Sequence, residues 1–453
     1  MKKDPVVIVG GVAAGTSAAA YLKRLKPSID IILAEQSETV SYGTCEFPYV
    51  LSREIPDPER LVFYTPEKLA EEKGITVLVN HRLVSVNPTK KTATFSDTRF
   101  HSTKIISYSK LLLATGASPI ELPELVGANS FSLKSYQSLL NSDHILKSGK
   151  RDQALIIGAG LIGLELADAM RKLNIQVTLI DKSEGILSGK VCVKDSGLIK
   201  TLADQNGVRF IGNARVSHTV RNQKNEIVEV HLSTGEILKT DIIFQSVGFK
   251  PNSSFSGLEK LKKAQNGAII VNKNMETSIS DIYAAGDCAV TGKSSGKTDI
   301  WFPLATAASK MGRSAAAAIS KNPEPYKAGN NTWGIQIFGH DFVQSGLNFH
   351  QAEDLYGSDA KTITVETSDR VKIMLGSKPL FLRLNFLKRS GRLVGASQLG
   401  QAGTGIRINT LSLAISQKMT LTDLEKSDFL YTPALAPLWD PVLVAARLAR
   451  KLK

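Results

Sequence analysis

One local pattern constrains this chain more than any other, because it occurs twice. The first copy reads Val6-Val7-Ile8-Val9, then Gly10-Gly11-Val12-Ala13-Ala14-Gly15, then an alanine-rich stretch to about Leu25. A second apolar run from Ile29 to Ala34 follows and ends at Glu35. The second copy runs Ala154-Leu155-Ile156-Ile157, Gly158-Ala159-Gly160-Leu161-Ile162-Gly163, a helical stretch through Glu165 to about Leu173, and a strand from Gln176 to Ile180 ending at Asp181. Each is a strand–turn–helix–strand unit carrying a dinucleotide fingerprint. The first glycine permits the tight turn, and the last lets the helix pack on the strand. The unpaired amides of the helix N-terminus face a pyrophosphate. Glu35 follows Gly15 by 20 residues and Asp181 follows Gly163 by 18, the place for a carboxylate that accepts bonds from a ribose. The first copy departs at Val12, where the middle glycine belongs, and the second has all three glycines. One such match is weak evidence. Two, each set between strand and helix and each closed by an acid, are not.

The repeat also decides how the N-terminus reads. Lys2-Lys3, the apolar run from Val6 and Ser17-Ala18-Ala19-Ala20 mimic a secretion signal. The same pattern returns in the chain interior, where no such signal can sit, so the strand–helix reading is preferred. With 453 residues the chain has room for two to four domains. No apolar run reaches the roughly 18 residues of a membrane helix, and no membrane partner is expected. Three cysteines cannot build a disulfide framework, which points to a reducing, cytoplasmic setting. Lys and Arg number 56 against 42 Asp and Glu, an excess that suits anionic cofactors and substrates. No aromatic-interleaved basic stripe or nucleic-acid motif is present, so no nucleic-acid partner is expected. The one basic cluster, Arg447, Arg450, Lys451 and Lys453, reads as a solvated helix end where cations suit the dipole. No pair of the seven histidines has metal-ligand spacing, no metal is expected, and the histidines are expected on surfaces and loops.

Two further segments carry a family resemblance. Leu111-Leu112-Leu113-Ala114-Thr115-Gly116 is an apolar strand ending in a small-residue turn, and Asp281-Ile282-Tyr283-Ala284-Ala285-Gly286-Asp287 is a short strand ending in Gly-Asp. With Gly248, Pro251 and Asn252, they make the chain, from about residue 4 to 445, resemble the two-dinucleotide-binding flavoproteins of the pyridine nucleotide–disulfide oxidoreductase group. The resemblance implies an α/β fold with two Rossmann-like domains, the FAD domain interrupted by the NAD domain, and a C-terminal α+β dimerisation domain. The expected divisions are 1–120 for the first part of the FAD domain, 121–255 for the NAD(P)H domain, 256–328 for the second FAD part and 329–453 for the dimerisation domain. Strand-like runs at Gly334-Phe338, Lys361-Val365 and Leu380-Phe386, with helices near Gly405-Lys418 and Pro441-Lys451, fill that tail.

The same resemblance implies the site residues. FAD would be held by Gly10, Val12, Ala13, Gly15, Glu35 and Gln36, by the turn Ala114, Thr115 and Gly116, and by Gly286, Asp287, Leu304 and Ala305. The nicotinamide nucleotide would be held by Gly158, Gly160, Leu161, Ile162, Gly163, Glu165, Asp181, Lys182 and Gly248. Asp181 favours NADH over NADPH, because a carboxylate there bonds both ribose hydroxyls and repels a 2′-phosphate; Lys182 partly offsets that repulsion.

Cys45, in Ser41-Tyr42-Gly43-Thr44-Cys45-Glu46-Phe47-Pro48-Tyr49, resembles the redox cysteine of the single-cysteine branch, which includes coenzyme A-disulfide reductases, persulfide reductases, NADH peroxidases and NADH oxidases. A thiol set at a helix N-terminus against a flavin is the nucleophile that chemistry needs. With one protein sulfur, the second sulfur comes from the substrate, or an oxygen takes its place. Cys192 and Cys288 read as buried structural residues. The peroxidase histidine is replaced by Ala13, and no histidine follows His350 to form the His-Glu pair of the two-cysteine enzymes. The proton donor that remains is Tyr431, in a segment resembling that in which coenzyme A-disulfide reductases place a tyrosine beside the partner subunit's cysteine. A second tyrosine of those enzymes corresponds to the Ile373-Met374-Leu375-Gly376 stretch and is missing. Arg24, Ser41, Thr44, Lys73 and Trp439 are the substrate-binding candidates. Arg24 and Lys73 lie where relatives bind coenzyme A phosphates, whereas Trp439 replaces an expected lysine and Thr44 an expected asparagine.

The expected activity is NAD(P)H-dependent reduction of a disulfide, persulfide or polysulfide through Cys45 in a homodimer. The alternatives are an NADH oxidase reducing dioxygen, an electron-transfer reductase for a protein partner, and a redox-sensing flavoprotein.

Overall fold

The computed structural model describes residues 4–291, 301 and 303–452; Lys2, Lys3 and Lys453 lie outside them. The fold is mixed α/β, with two Rossmann-like sheets and a C-terminal domain of the kind expected. The chain parts into two units, one made of Met1–Ile120, Ser132–Ser148 and Gly248–Ala328, the other of Glu121–Phe131, Gly149–Val247 and Gly329–Lys453.

The first unit is built on a five-stranded parallel sheet in the order Ile282–Ala284, Lys110–Leu113, Val6–Val9, Ile31–Ala34, Thr76–Leu78. Val6–Val9 is buried at all four positions, as expected for a parallel strand covered on both faces. The helix Ala13–Leu25 covers the sheet and packs along the helix Ala305–Ile319. Both are rich in alanine and glycine, which is what lets the backbones come together. A Cβ on Gly312 would meet the carbonyl oxygen of Ala14 at 2.2 Å.

The second unit holds a second five-stranded parallel sheet, in the order Val208–Ile211, Gln176–Ile180, Gln153–Ile157, Ile242–Gln245, Ser130–Phe131. It also holds an antiparallel sheet in the order Trp333–Ile337, His340–Gly346, Leu393–Gln401, Pro379–Leu387, Ala360–Ser368. The helices Ile408–Ser416 and Pro441–Arg450 cover that sheet. The sequence showed three of these five strands and missed His340–Gly346 and Leu393–Gln401. The histidine expectation needs correction as well. None of the seven is buried, but six lie in strands or helices and only His101 in a loop.

A buried ion pair ties the parallel and antiparallel parts of this unit together. Arg383 Nη2 donates to Asp195 Oδ1 at 2.9 Å, and Ser397 donates to Asp195 Oδ2 at 2.7 Å. The side chains of Arg383 and Asp195 are 7% and 9% exposed. Removing one partner strands the other charge away from water. Arg383→Ala is therefore expected to cost about 3–5 kcal/mol of stability, read as a lowered denaturation midpoint, whereas Lys200→Ala, which breaks an exposed pair with Asp204, should change it by less than about 1 kcal/mol.

Candidate active site

The two glycine turns have the same construction. Gly10 and Gly158 adopt φ of +109° and +104°, and a Cβ on either would strike a backbone carbonyl, Ala114 O at 2.1 Å or Ser246 O at 2.5 Å. Gly15 and Gly163 sit where the helix crosses the turn, with room for no side chain: a Cβ would fall 1.8 Å from Gly10 O and 2.0 Å from Gly158 O. Val12, the departure from the fingerprint, is the helix N-cap, and its φ of −108° is not the positive φ that requires glycine. Its counterpart Gly160 is an extended N-cap at φ −84°, so neither copy uses glycine's positive φ at this position.

The two acids also match. Glu35 Oε2 accepts from Gly11 N at 2.7 Å, while Oε1 accepts from Ser37 N at 3.0 Å. Asp181 Oδ2 accepts from Ala159 N at 2.8 Å, while Oδ1 accepts from Ser183 N at 2.7 Å. Each acid clamps the second residue of its glycine turn, a role the fingerprint alone does not reveal. Glu35 Oε1 also accepts from Ser37 Oγ at 2.9 Å, so Glu35 Oε2 and both Asp181 oxygens are the ones with capacity for a further donor such as a ribose hydroxyl.

The helices that start at these turns, and the helix Ala305–Ile319 with Leu304 as N-cap, begin without a side-chain cap and with no acid in the first turn. Helices starting at Pro66, Tyr136, Phe349, Leu421 and Pro441 are capped by Thr65, Ser135, Asn348, Thr420 and Asp440, whereas those starting at Phe47, Val193 and Ile408 also lack a side-chain cap. Uncapped amides and the positive end of the dipole favour an anion. The residues present thus fit two anionic dinucleotides, one in each unit.

Around the first turn, Gly286 places a would-be Cβ 2.9 Å from Ala14 Cβ, which brings Asp287 alongside the helix start. The carboxylate of Asp287 pairs with Lys134 at 3.0 Å, and the Lys134 ammonium also lies 4.9 Å from the Phe249 ring centroid. Trp301 Nε1 donates to Asp287 O at 2.9 Å. Lys134 and Trp301 carry no motif, and sequence reasoning missed them. The Ala114-Thr115-Gly116 turn is locked by Asn252: Thr115 Oγ1 donates to Asn252 O at 2.6 Å, and Asn252 Nδ2 donates to Thr115 O at 2.9 Å. Gly248 O accepts from Ile120 N at 2.9 Å and so belongs to the first unit. Gln36 is exposed just beyond the C-terminal end of the strand Ile31–Ala34, next to Glu35.

Cys45 is exposed, and its neighbours explain how it is held. Ser41 N donates to Gly11 O at 2.7 Å, tying the segment to the first glycine turn, and Phe63 N donates to Ser41 O at 2.8 Å. Gly43 N donates to Leu61 O at 3.0 Å. Tyr42 and Phe47 are buried and stacked, with centroids 6.3 Å apart, and Tyr42 also meets Tyr136. The helix Phe47–Leu51 starts two residues after Cys45. Buried aromatics on both sides thus hold an exposed thiol on a rigid shelf, with Thr44 beside it. Burial pushes the Tyr42 phenol up to about 12, so it stays protonated at neutral pH. Cys288 is fully buried and donates to Leu113 O at 3.3 Å, and burial raises its pKa. Cys192 is buried as the N-cap residue of Val193–Gln205, and burial raises its pKa too. Neither resembles a reactive thiolate.

Among the substrate-binding candidates, Arg24 is exposed over the Tyr21 ring, and Lys73 lies over Tyr64 and 3.7 Å from Glu72. Trp439 has the guanidinium of Arg447 at 5.7 Å from its ring. Tyr431 is 49% exposed, amid exposed Leu430, Leu435, Leu438 and Trp439. Val442 and Leu443, a few residues on, do not join this apolar surface: both are buried within the unit, Val442 in the core under the tail sheet.

Glu165 is part-buried in the helix Leu161–Lys172. Loss of water, with a smaller contribution from the Asp168 charge, raises its pKa from 4.5 to about 7. A carboxyl raised on folding resists ionisation, so its stability contribution is intact below 4.5 and is lost as pH rises through about 7. Glu165→Gln is therefore expected to melt higher than the parent above about pH 7 and equally at low pH, in melting curves taken across pH. A constant offset at every pH would show that Glu165 does not ionise in this range.

The fold and these sites define a two-dinucleotide oxidoreductase with an exposed thiol. Residues 4–312 match the pyridine nucleotide-disulphide oxidoreductase family and residues 339–441 match the dimerisation domain of the same family. The chain belongs to the pyridine nucleotide-disulphide oxidoreductases, whose members are NAD(P)H-dependent flavin enzymes. It is 28% identical over 445 residues to an NADH oxidase of Enterococcus faecalis, covering 98% of this chain and 99% of that one. It is 28% identical over 431 residues to a coenzyme A disulfide reductase of Staphylococcus aureus, covering 94% of this chain and 95% of that one. It superposes on an NAD-dependent persulfide reductase from A. fulgidus with a TM-score of 0.93 at 28% identity, over 99% of this chain and 83% of that one. Among the described residues no helix is long and apolar enough to cross a membrane, and no cluster of three or more His, Cys, Asp or Glu could hold a metal ion.

Proposed function

We propose that the chain is an FAD-dependent NADH oxidoreductase that reduces a sulfur–sulfur bond, in a disulfide, persulfide or polysulfide, through Cys45. The observation that carries this reading is the placement of the thiol. Cys45 is exposed on a shelf hydrogen-bonded to the first glycine turn, while both other cysteines are buried. Bound FAD would supply the two-electron carrier between nicotinamide and sulfur. The resting oxidised protein would carry Cys45 as a mixed disulfide, Cys45–S–S–R. Two electrons, drawn from NADH, and two protons cleave that bond to the Cys45 thiol and RSH. The Cys45 thiolate then attacks the next R–S–S–R, which forms one S–S bond, breaks another and releases RS⁻. The partner subunit's Tyr431 protonates that leaving thiolate.

Asp181, already clamping the turn through Ala159 and Ser183, presents its charge where the adenosine ribose lies. NADH is therefore the preferred donor. With Trp439 in place of the lysine and the Ile373-Met374-Leu375-Gly376 stretch in place of the tyrosine-bearing stretch of coenzyme A-disulfide reductases, the acceptor is smaller or more apolar than coenzyme A disulfide.

A second reading, dioxygen reduction with Cys45 cycling through sulfenic acid, draws on the NADH oxidase relative, which is as similar as the disulfide reductase. The replacement of the peroxidase histidine by Ala13 weighs against it. One experiment separates the two. The purified yellow protein, releasing FAD on denaturation, is supplied with NADH or NADPH and with a panel of disulfides, persulfides and polysulfide in an oxygen electrode. Faster anaerobic NADH consumption with a sulfur acceptor is the expected result. Stoichiometric oxygen uptake with no sulfur dependence makes it an oxidase.

A further inference from the structure

The loop after the second acid holds a cation that the fingerprint does not account for. Lys190 lies nine residues beyond Asp181, and its Nζ comes within 3.8 Å of where a Cβ on Gly160 would stand. Apart from the residues adjoining Gly160 in the chain, no other described heavy atom lies within 4 Å of that Cβ position, so the ammonium borders open space at the N-cap of the helix Leu161–Lys172. Asp181 is the carboxylate whose charge reaches this ammonium. The cation is therefore near the N-cap of the helix Leu161–Lys172 and within electrostatic reach of Asp181.

Its placement is built, not incidental. Leu187 N donates to Ala159 O at 2.9 Å, fastening the loop to the glycine turn. Ile186, Leu187 and Val191 are buried. Two buried amide side chains from the C-terminal part of the same unit hold the loop backbone at Lys190 itself: Gln344 Nε2 and Asn348 Nδ2 each donate to Lys190 O at 3.1 Å. Buried amides directed at one carbonyl fix where the lysine starts, and the side chain extends from there toward the turn. Partial loss of water lowers its pKa, and the Asp181 charge opposes that shift.

We propose that Lys190 is a phosphate-binding residue of the nicotinamide nucleotide site, contacting either the pyrophosphate or, when NADPH is the donor, the 2′-phosphate. The inference rests on the nucleotide reading of the second glycine turn and not on the identity of the sulfur acceptor. Two consequences follow. The nucleotide site is held in shape by the C-terminal part of its own unit. A negative 2′-phosphate would also meet a positive charge beside Asp181, which limits how strongly NADPH is rejected.

The test uses the FAD-loaded protein and its Lys190→Ala and Lys190→Arg variants. Isothermal titration measures binding of ADP-ribose and of 2′-phospho-ADP-ribose, neither of which can be oxidised or reduced at the nicotinamide. A charge-assisted contact makes Lys190→Ala bind about tenfold more weakly, with Lys190→Arg closer to the parent. An equal loss for both ligands assigns the pyrophosphate, and a loss confined to the phosphorylated ligand assigns the 2′-phosphate. Unchanged affinity for both, in a variant with the parent's melting temperature, overturns the proposal. If the protein binds both ligands but reduces no sulfur acceptor, it is the function proposed above that fails, and the assignment of Lys190 stands.

Discussion

Cys45→Ser is expected to lower sulfur-acceptor turnover by at least about 10³-fold while leaving anaerobic reduction of the flavin by NADH near the parent rate. The first effect follows from removing the only sulfur the protein can offer the substrate. Serine keeps the size and the turn but has neither the acidity nor the nucleophilicity of a thiol, and loss of a covalent nucleophile typically costs orders of magnitude. The second follows from the layout of the shelf. Cys45 is exposed, and Tyr42, Phe47, Val50 and Leu51, which anchor its segment, are all buried and untouched by the change. Stopped-flow reduction and steady-state turnover of the variant separate the two half-reactions. Turnover that survives with a protein acceptor would convert the account into an electron carrier in which Cys45 is incidental.

Tyr431→Phe is expected to lower the same turnover by about 10²–10⁴-fold, the usual worth of a general acid, through the partner's site. Tyr431, Leu430, Leu435, Leu438 and Trp439 leave 49–64% of their surfaces open to water, too much apolar surface in one segment for a solvated end. A two-fold dimer would cover it with the same patch of a second copy, and the segment falls within the part of the chain that matches the dimerisation domain. Mixing Cys45→Ser chains with Tyr431→Phe chains distinguishes a shared site from a packing role. In a heterodimer one of the two sites regains both native residues, so activity rises above that of either parent variant. No rise after verified subunit exchange would confine Tyr431 to packing.

The glycine turns were legible because sterics leave few residues able to make them. The helix Ala13–Leu25 and the strand Gln176–Ile180 lie where the pattern put them. The tail was less legible. His340–Gly346 and Leu393–Gln401 are central strands of their sheet, and each carries polar residues on buried faces. Gln344 donates to Lys190 O, Ser397 to Asp195 and Gln398 to Thr404 O. Those partners are far away in sequence or across a turn, so the alternation that marks a strand is broken by contacts that exist only after folding. Lys134 and Lys190 escaped notice for the same reason. Nothing near either in sequence marks it as a site residue, and each matters through a group more than eight residues away, Asp287 or Gly160. At Val12 the sequence showed a mismatch at a position whose negative φ does not call for glycine.

In the proposed reaction Cys45 cycles through a sulfur–sulfur bond with the substrate. Anaerobic titration of the air-oxidised protein with NADH tests it most directly, by counting electrons. The account predicts that the parent takes up two electrons for the flavin and two more for the bond at Cys45, with RSH released, whereas Cys45→Ser takes up only the flavin's two. Equal uptake by the two proteins would contradict it.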